Sequence, residues 1–149
     1  MQDIAQLFYQ YRDDVYRLAV SYTRSREEAE DVCQTVFLKL MEQKRIEPGK
    51  EKNWLLRVTA NECRSLLRSH WWKTTTALDE RFAVDQPEIN AVLEAVMKLK
   101  PQYRVVVYLH YYEGYSTGEI GKLLHISPSA VTTRLSRARQ MLKPELEEV

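Results

Sequence analysis

Glycine and cysteine are scarce in this 149-residue chain, and no apolar run in it is long. Its four glycines never cluster into the kind of loop that cradles phosphate. The only cysteines, Cys33 and Cys63, show no C-x-x-C or Cys/His spacing, so no metal framework is drawn from them. Both fall in helical patterns among apolar residues, which predicts buried, reduced thiols. His70, His110 and His125 are too far apart in sequence to recur as metal-ligand pairs. No stretch approaches the roughly 18 apolar residues that a membrane span needs. The N-terminus opens on Gln2 and Asp3 with no basic-then-apolar leader. These absences predict a cytoplasmic, non-membrane protein that is not an enzyme and uses no cofactor and no metal.

Charge is balanced overall, 22 Lys plus Arg against 21 Asp plus Glu, so partners must be read from its distribution. Four acids crowd into Glu27, Glu28, Glu30 and Asp31, where solvation and a helix N-terminus account for at least Glu27 and Glu28. From Ser127 to Lys143 the chain carries Arg134, Arg137, Arg139 and Lys143 and no acid. Those two ends suit different partners.

Apolar residues recur at helical spacing almost throughout, and no segment alternates as a strand does, which predicts an all-α protein. Ile4, Leu7, Phe8, Tyr11, Val15, Leu18 and Tyr22 share one face of a long helix or a closely jointed pair. Ser25 and Glu28 form a capping box, opening a second helix that runs to about Glu42 with Ala29, Val32, Cys33, Val36, Phe37 and Leu40 inward. Pro48 and Gly49 break the chain, and a third helix from near Asn53 to near Ser69 carries Trp54, Leu55, Val58, Ala60, Leu66 and Leu67. The periodicity then lapses, so 1–69 is read as a first domain, 70–87 as a linker and 88–149 as a second domain. In the second, Ile89, Val92, Leu93, Val96 and Leu99 make one stripe. After Pro101, Val105, Val106, Leu109 and Tyr112 make another, with Gly114 at a helix C-cap.

Ser116 and Glu119 form a further capping box before Ile120, Leu123 and Leu124. Ser127 with Pro128 starts the next helix almost at once, proline standing where its missing N–H costs nothing. Two helices joined by so short a turn make a helix-turn-helix, whose second helix presents its early residues to the major groove. Val131, Leu135, Ala138 and Leu142 form its buried face. Ser129, Thr132, Thr133, Ser136 and the arginines form the other, an acid-free surface that suits duplex DNA.

Residues 113–139, from Glu-Gly-Tyr-Ser through His-Ile-Ser-Pro to Arg-Ala-Arg, resemble region 4 of the extracytoplasmic-function (ECF) sigma factors of the sigma-70 family. LuxR-type regulators share a similar helix-turn-helix, so the first domain decides. There, Glu27–Leu40 resembles region 2.2, and Asn53–Arg68, with Asn-Trp-Leu-Leu-Arg-Val-Thr-Ala-Asn, resembles regions 2.3 and 2.4. The resemblance implies two small helical domains, a region 2 bundle of three to four helices and a region 4 helix-turn-helix, joined by a linker. It implies binding to core RNA polymerase, recognition of minus-ten and minus-thirty-five promoter DNA, and an anti-sigma factor, often membrane-bound, that masks the polymerase-binding surfaces.

By the same resemblance, core polymerase meets Asp31, Gln34, Thr35, Phe37, Leu38 and Leu40. Because Val32, Val36 and Phe37 also suit the core, Asp31, Gln34 and Leu38 are the stronger contacts. Minus-ten DNA meets Lys52, Asn53, Arg57, Asn61, Arg64 and Arg68, and the loop from Pro48 to Asn53 holds an extruded base. A cationic track with aromatic platforms is what a melted strand requires. Trp54 serves either stacking or the core, and Trp71 and Trp72 either the melted strand or a covered surface. Minus-thirty-five DNA meets Thr132, Thr133, Arg134, Ser136 and Arg137, with Arg139 and Lys143 on phosphates. Relatives often carry a basic residue at the position of Thr132, which shifts base reading toward Arg137. A repressor or activator that binds duplex DNA unaided is the rival reading, and the region 2 resemblance weighs against it.

Overall fold

Asp3, Ser25, Ser116 and Ser127 set where four of the helices begin, each side chain accepting a backbone N–H that the first turn leaves unpaired. A computed structural model describes residues 3–43, 46–69 and 87–147. The linker expected at 70–87, with Trp71 and Trp72, lies outside the described residues except for Pro87. Every regular element among the described residues is helical, so the fold class is all-α. The chain divides into two units, Met1–Thr74 and Thr75–Val149.

In the first unit α1 spans Ile4–Thr23, α2 Arg26–Glu42 and α3 Glu51–Ser69. Arg24, in the left-handed region at φ 54°, ends α1 by donating its N–H to the Val20 carbonyl. The box expected at Ser25 is only half built. Its hydroxyl accepts the Glu28 N–H at 3.2 Å, but its own N–H goes to the Thr23 hydroxyl, also at 3.2 Å, because the turn from α1 brings that group closer. Val15, Leu18, Val36, Leu55, Leu56, Ala60 and Cys63 are fully buried where the three helices meet. Truncating any of these leucines removes roughly 2–5 kcal/mol, which ties the three helices into one core. The third helix starts at Glu51, two residues ahead of the expected Asn53, because the Glu51 carboxylate takes the Gly49 N–H at 2.9 Å and closes the preceding turn.

In the second unit α4 spans Pro87–Met97 and α5 Pro101–Val107, which continues as a π-helical turn over Tyr108–Tyr112. Helix α6 covers Thr117–Leu124 and α7 Pro128–Glu147. The burial differs in part from the expected stripe: Leu99 is buried as expected, but Ala95 and Met97 are buried as well and Val92 is exposed. Buried Arg104 explains part of this, since its guanidinium donates to the Leu99 carbonyl at 2.5 Å and pins the end of α4 to α5. Val105, Val106, Leu109, Ile120, Leu123, Val131, Leu135 and Ala138 are the buried side chains on which α6 and α7 rest.

Candidate nucleic-acid interface

The turn between α6 and α7 is built by contacts only a few residues long. Ser116 and Glu119 bond reciprocally, Glu119 N–H to the hydroxyl at 3.1 Å and Ser116 N–H to the carboxylate at 2.9 Å. The Ser116 amide, and then its hydroxyl, hold the Glu119 carboxyl below its ordinary pKa. His125 closes α6 in the left-handed region at φ 60°, a structural use of this histidine. The Ile126 N–H returns to the Gly121 carbonyl at 3.0 Å, and Ser127 accepts the Ala130 N–H at 3.0 Å.

This turn leaves one face of α7 outward. Thr132, Thr133, Ser136, Arg137 and Lys143 are exposed there, while Arg134 is half-buried. Arg137 also reaches Tyr103, whose hydroxyl is held below its ordinary pKa by Gln102 first and Arg137 after it. Arg139 is exposed, but its Nε–H donates to the Tyr111 hydroxyl at 2.5 Å and its guanidinium lies over that ring, 5.6 Å from the centroid. Tyr111 had no signal in the helical spacing.

On α3, Asn53, Arg57, Asn61, Arg64 and Arg68 recur at steps of four, four, three and four, one face of one helix. Arg64 is half-buried and the other four are exposed. The Arg64 guanidinium donates to the Asn61 amide oxygen at 2.5 Å. Glu62, the nearest acid, is neutralised by Lys39 of α2. Asn53 and Arg57, with half-buried Trp54, line a cavity of about 220 Å³ completed by Ile46, Glu47 and Lys50. Lys52 stands off this stripe, partly buried, with Nζ 3.9 Å from the Asp14 carboxylate of α1.

On α2, Asp31, Gln34 and Leu38 are exposed, and Thr35 is half-buried with its hydroxyl donating to the Asp31 carbonyl at 3.1 Å. Leu38 is 59% exposed, and Met41, one turn on and missed in the sequence, is 62% exposed. Phe37, 7% exposed and set edge-on to Phe8 at 4.9 Å, joins α2 to α1, the inward place its helical stripe predicts. Leu40 is buried likewise. Neither thiol is in a disulfide: burial, then Glu30 and Asp13, pushes half-buried Cys33 up to about 12, and burial raises Cys63 further. Such groups stay protonated and unreactive near neutral pH.

Residues 7–73 match sigma-70 region 2, and residues 89–142 match sigma-70 region 4. The ECF RNA polymerase sigma factor SigM of Bacillus subtilis is 30% identical, over 94% of this chain and 93% of SigM. The chain belongs to the ECF sigma factors. SigE of Mycolicibacterium smegmatis, another ECF RNA polymerase sigma factor, is 31% identical over 95% of the chain, which spans 60% of SigE's length. The sigma factor RpoE from Bartonella quintana, solved in complex with the anti-sigma factor NepR, superposes with a TM-score of 0.79 over 99% of this chain and 98% of that one. At 19% identity that likeness speaks for the fold. Among the described residues no three metal-ligating side chains gather, and no helix is long and apolar enough to cross a membrane.

Proposed function

We propose that the chain binds core RNA polymerase and directs it to promoters carrying minus-ten and minus-thirty-five elements, as a non-enzymatic, cytoplasmic factor. In this reading residues 1–69 form the region 2 domain, 70–87 the linker and 88–149 the region 4 domain. Asp31, Gln34, Thr35 and Leu38 on α2, extended by Met41, meet polymerase, and an anti-sigma factor covers the same face. Asn53, Arg57, Asn61, Arg64 and Arg68 track the opened minus-ten strand, with one unstacked base in the cavity beside Trp54. Thr133, Ser136 and Arg137 read the minus-thirty-five element from the major groove, with Thr132 and Arg134 at the margins and Arg139 and Lys143 on phosphates.

The α3 stripe carries the reading. A factor that only docks on closed duplex needs one cationic helix, whereas here a second one stands beside an aromatic-walled cavity that suits a base out of its stack. The experiment is in vitro transcription from pooled genomic fragments with core polymerase, with and without the purified chain, followed by mapping of the transcript starts. Starts that depend on the chain and share a pair of upstream motifs are expected. Robust operator binding with no effect on initiation would establish the rival, a repressor or activator acting unaided.

A further inference from the structure

Arg139 lies 28 residues from Tyr111 in sequence, yet two contacts join them: the Nε–H to phenol hydrogen bond and the stacking of guanidinium over ring. The ring is itself held. His110 packs edge-on against it, centroids 4.9 Å apart, and the His110 Nδ1 bonds the Tyr115 carbonyl at 2.9 Å. A carbonyl only accepts, so that nitrogen carries the proton. The backbone beneath is the π-helical turn, in which Tyr108 and Tyr112 stack at 5.2 Å. A π turn places one more residue per turn than an α-helix, and such turns concentrate at functional positions. Tyr111 is 58% exposed, so burial does not explain these contacts.

Thr132, Ser136, Arg139 and Lys143 recur at steps of four, three and four, so Arg139 stands at the rim of the outward face of α7. With Nε engaged by the phenol, the terminal amino groups of the guanidinium are the ones left to meet an anion. We propose that Tyr111 is a positioning residue, which holds the Arg139 guanidinium at the edge of the recognition helix for a backbone phosphate of the minus-thirty-five duplex. The proposal rests on the reading of α7 given above. Arginine carries many rotamers, and fixing it before DNA arrives removes an ordering cost that binding otherwise bears.

The test uses holoenzyme assembled from core polymerase and the full chain, on a promoter identified by its transcript starts, with closed-complex affinity measured across a salt series. Arg139→Gln is expected to lower the slope of log affinity against log salt by about 0.9, one phosphate contact, and to weaken promoters of different upstream sequence alike. Tyr111→Leu keeps the charge and is expected to weaken binding about two- to tenfold, with the slope nearly intact. Tyr111→Phe, which keeps the ring and loses the hydroxyl, should fall between. The deciding measurement is the double variant: Tyr111→Leu adds little once Arg139 is Gln. Additive losses, or an unchanged salt slope in Arg139→Gln, overturn the proposal and leave Tyr111 a packing residue. Unchanged melting temperatures of the single variants separate positioning from folding. If the chain supports no specific initiation at all, the reading of α7 fails first and this proposal with it.

Discussion

Gly118 and Gly121 stand three residues apart in α6, and alanine at the two positions is expected to change stability in opposite directions. A Cβ on Gly118, in the first turn, meets nothing nearer than the Ser116 hydroxyl at 3.9 Å, so Gly118→Ala gains part of the roughly 0.8–1 kcal/mol that alanine has over glycine inside a helix. A Cβ on Gly121 falls 2.7 Å from the Ile126 carbonyl oxygen and 3.4 Å from the Pro128 nitrogen, both backbone of the turn into α7. No side-chain rotation relieves that clash. The turn must open, straining the Ile126 N–H to Gly121 carbonyl bond now at 3.0 Å. Overpacking costs about 1–3 kcal/mol and a weakened hydrogen bond about 0.5–1.5 kcal/mol, against a propensity gain near 1 kcal/mol. Gly121→Ala should therefore lose about 0.5–3.5 kcal/mol. At roughly 4–8 °C per kcal/mol for a unit of this size, calorimetry of the full chain resolves the two variants easily. Promoter affinity should fall in Gly121→Ala as well, because the turn sets the angle of α7. Equal stabilisation by both alanines would refute the close approach as the reason for a glycine at 121.

Phe37→Ala is expected to destabilise the first unit by about 3–5 kcal/mol, whereas Leu38→Glu should leave the melting temperature near that of the parent and weaken binding to core polymerase; denaturant titration and a competition assay separate the two. Arg57→Ala and Asn61→Ala, both exposed, should reduce open-complex formation without moving stability, as permanganate footprinting of the melted strand will show. The Glu119 carboxyl is held below its ordinary value of 4.5, so its contribution to stability is complete above that pH and is lost as pH falls through the lower folded value. Glu119→Gln should flatten that acid-side loss, and identical acid transitions in parent and variant would show that the box does not titrate with folding.

Helix starts were legible because caps act over three residues: Ser116 and Ser127 needed only their own neighbours to be found. What the spacing left open was the flanks, where the packing partner decides which way a side chain goes. Phe37 turned inward because Phe8 of α1 stands over it, and Lys52 turned to Asp14 of the same helix. The α3 stripe was readable once the helix was placed, since the steps from Asn53 to Arg68 fix a single face. The cavity beside Trp54 was not legible in the spacing, for its walls depend on how Glu51 closes the Gly49 turn. Tyr111 was out of reach for a different reason. A π turn breaks the 3.6-residue count, so periodicity places Leu109 correctly but puts exposed Tyr112 in the buried stripe and gives no place to Tyr111.

On the proposed reading, the charge distribution leaves neither α3 nor α7 sufficient for DNA alone. The outward side of α7 offers Arg137, Arg139, Lys143 and half-buried Arg134, and Arg137 is shared with Tyr103. Each phosphate neutralised contributes only about 0.9 to the salt slope, and a net charge of +1 supplies no general attraction to DNA. On the α3 stripe the cations are Arg57, Arg64 and Arg68, and Arg64 is already bonded to Asn61. Both helices are thus specified more by hydroxyls and amides than by charge, which favours discrimination over affinity. Holding two weak readers to one large partner raises the effective concentration of the second once the first is bound, so selectivity multiplies while free chain stays off DNA. On this argument the exposed Leu38 and Met41 face of α2 is the surface on which initiation at any promoter depends, although it touches no base. Substitutions there should abolish initiation at every promoter equally, while substitutions on α3 and α7 should redistribute it among them.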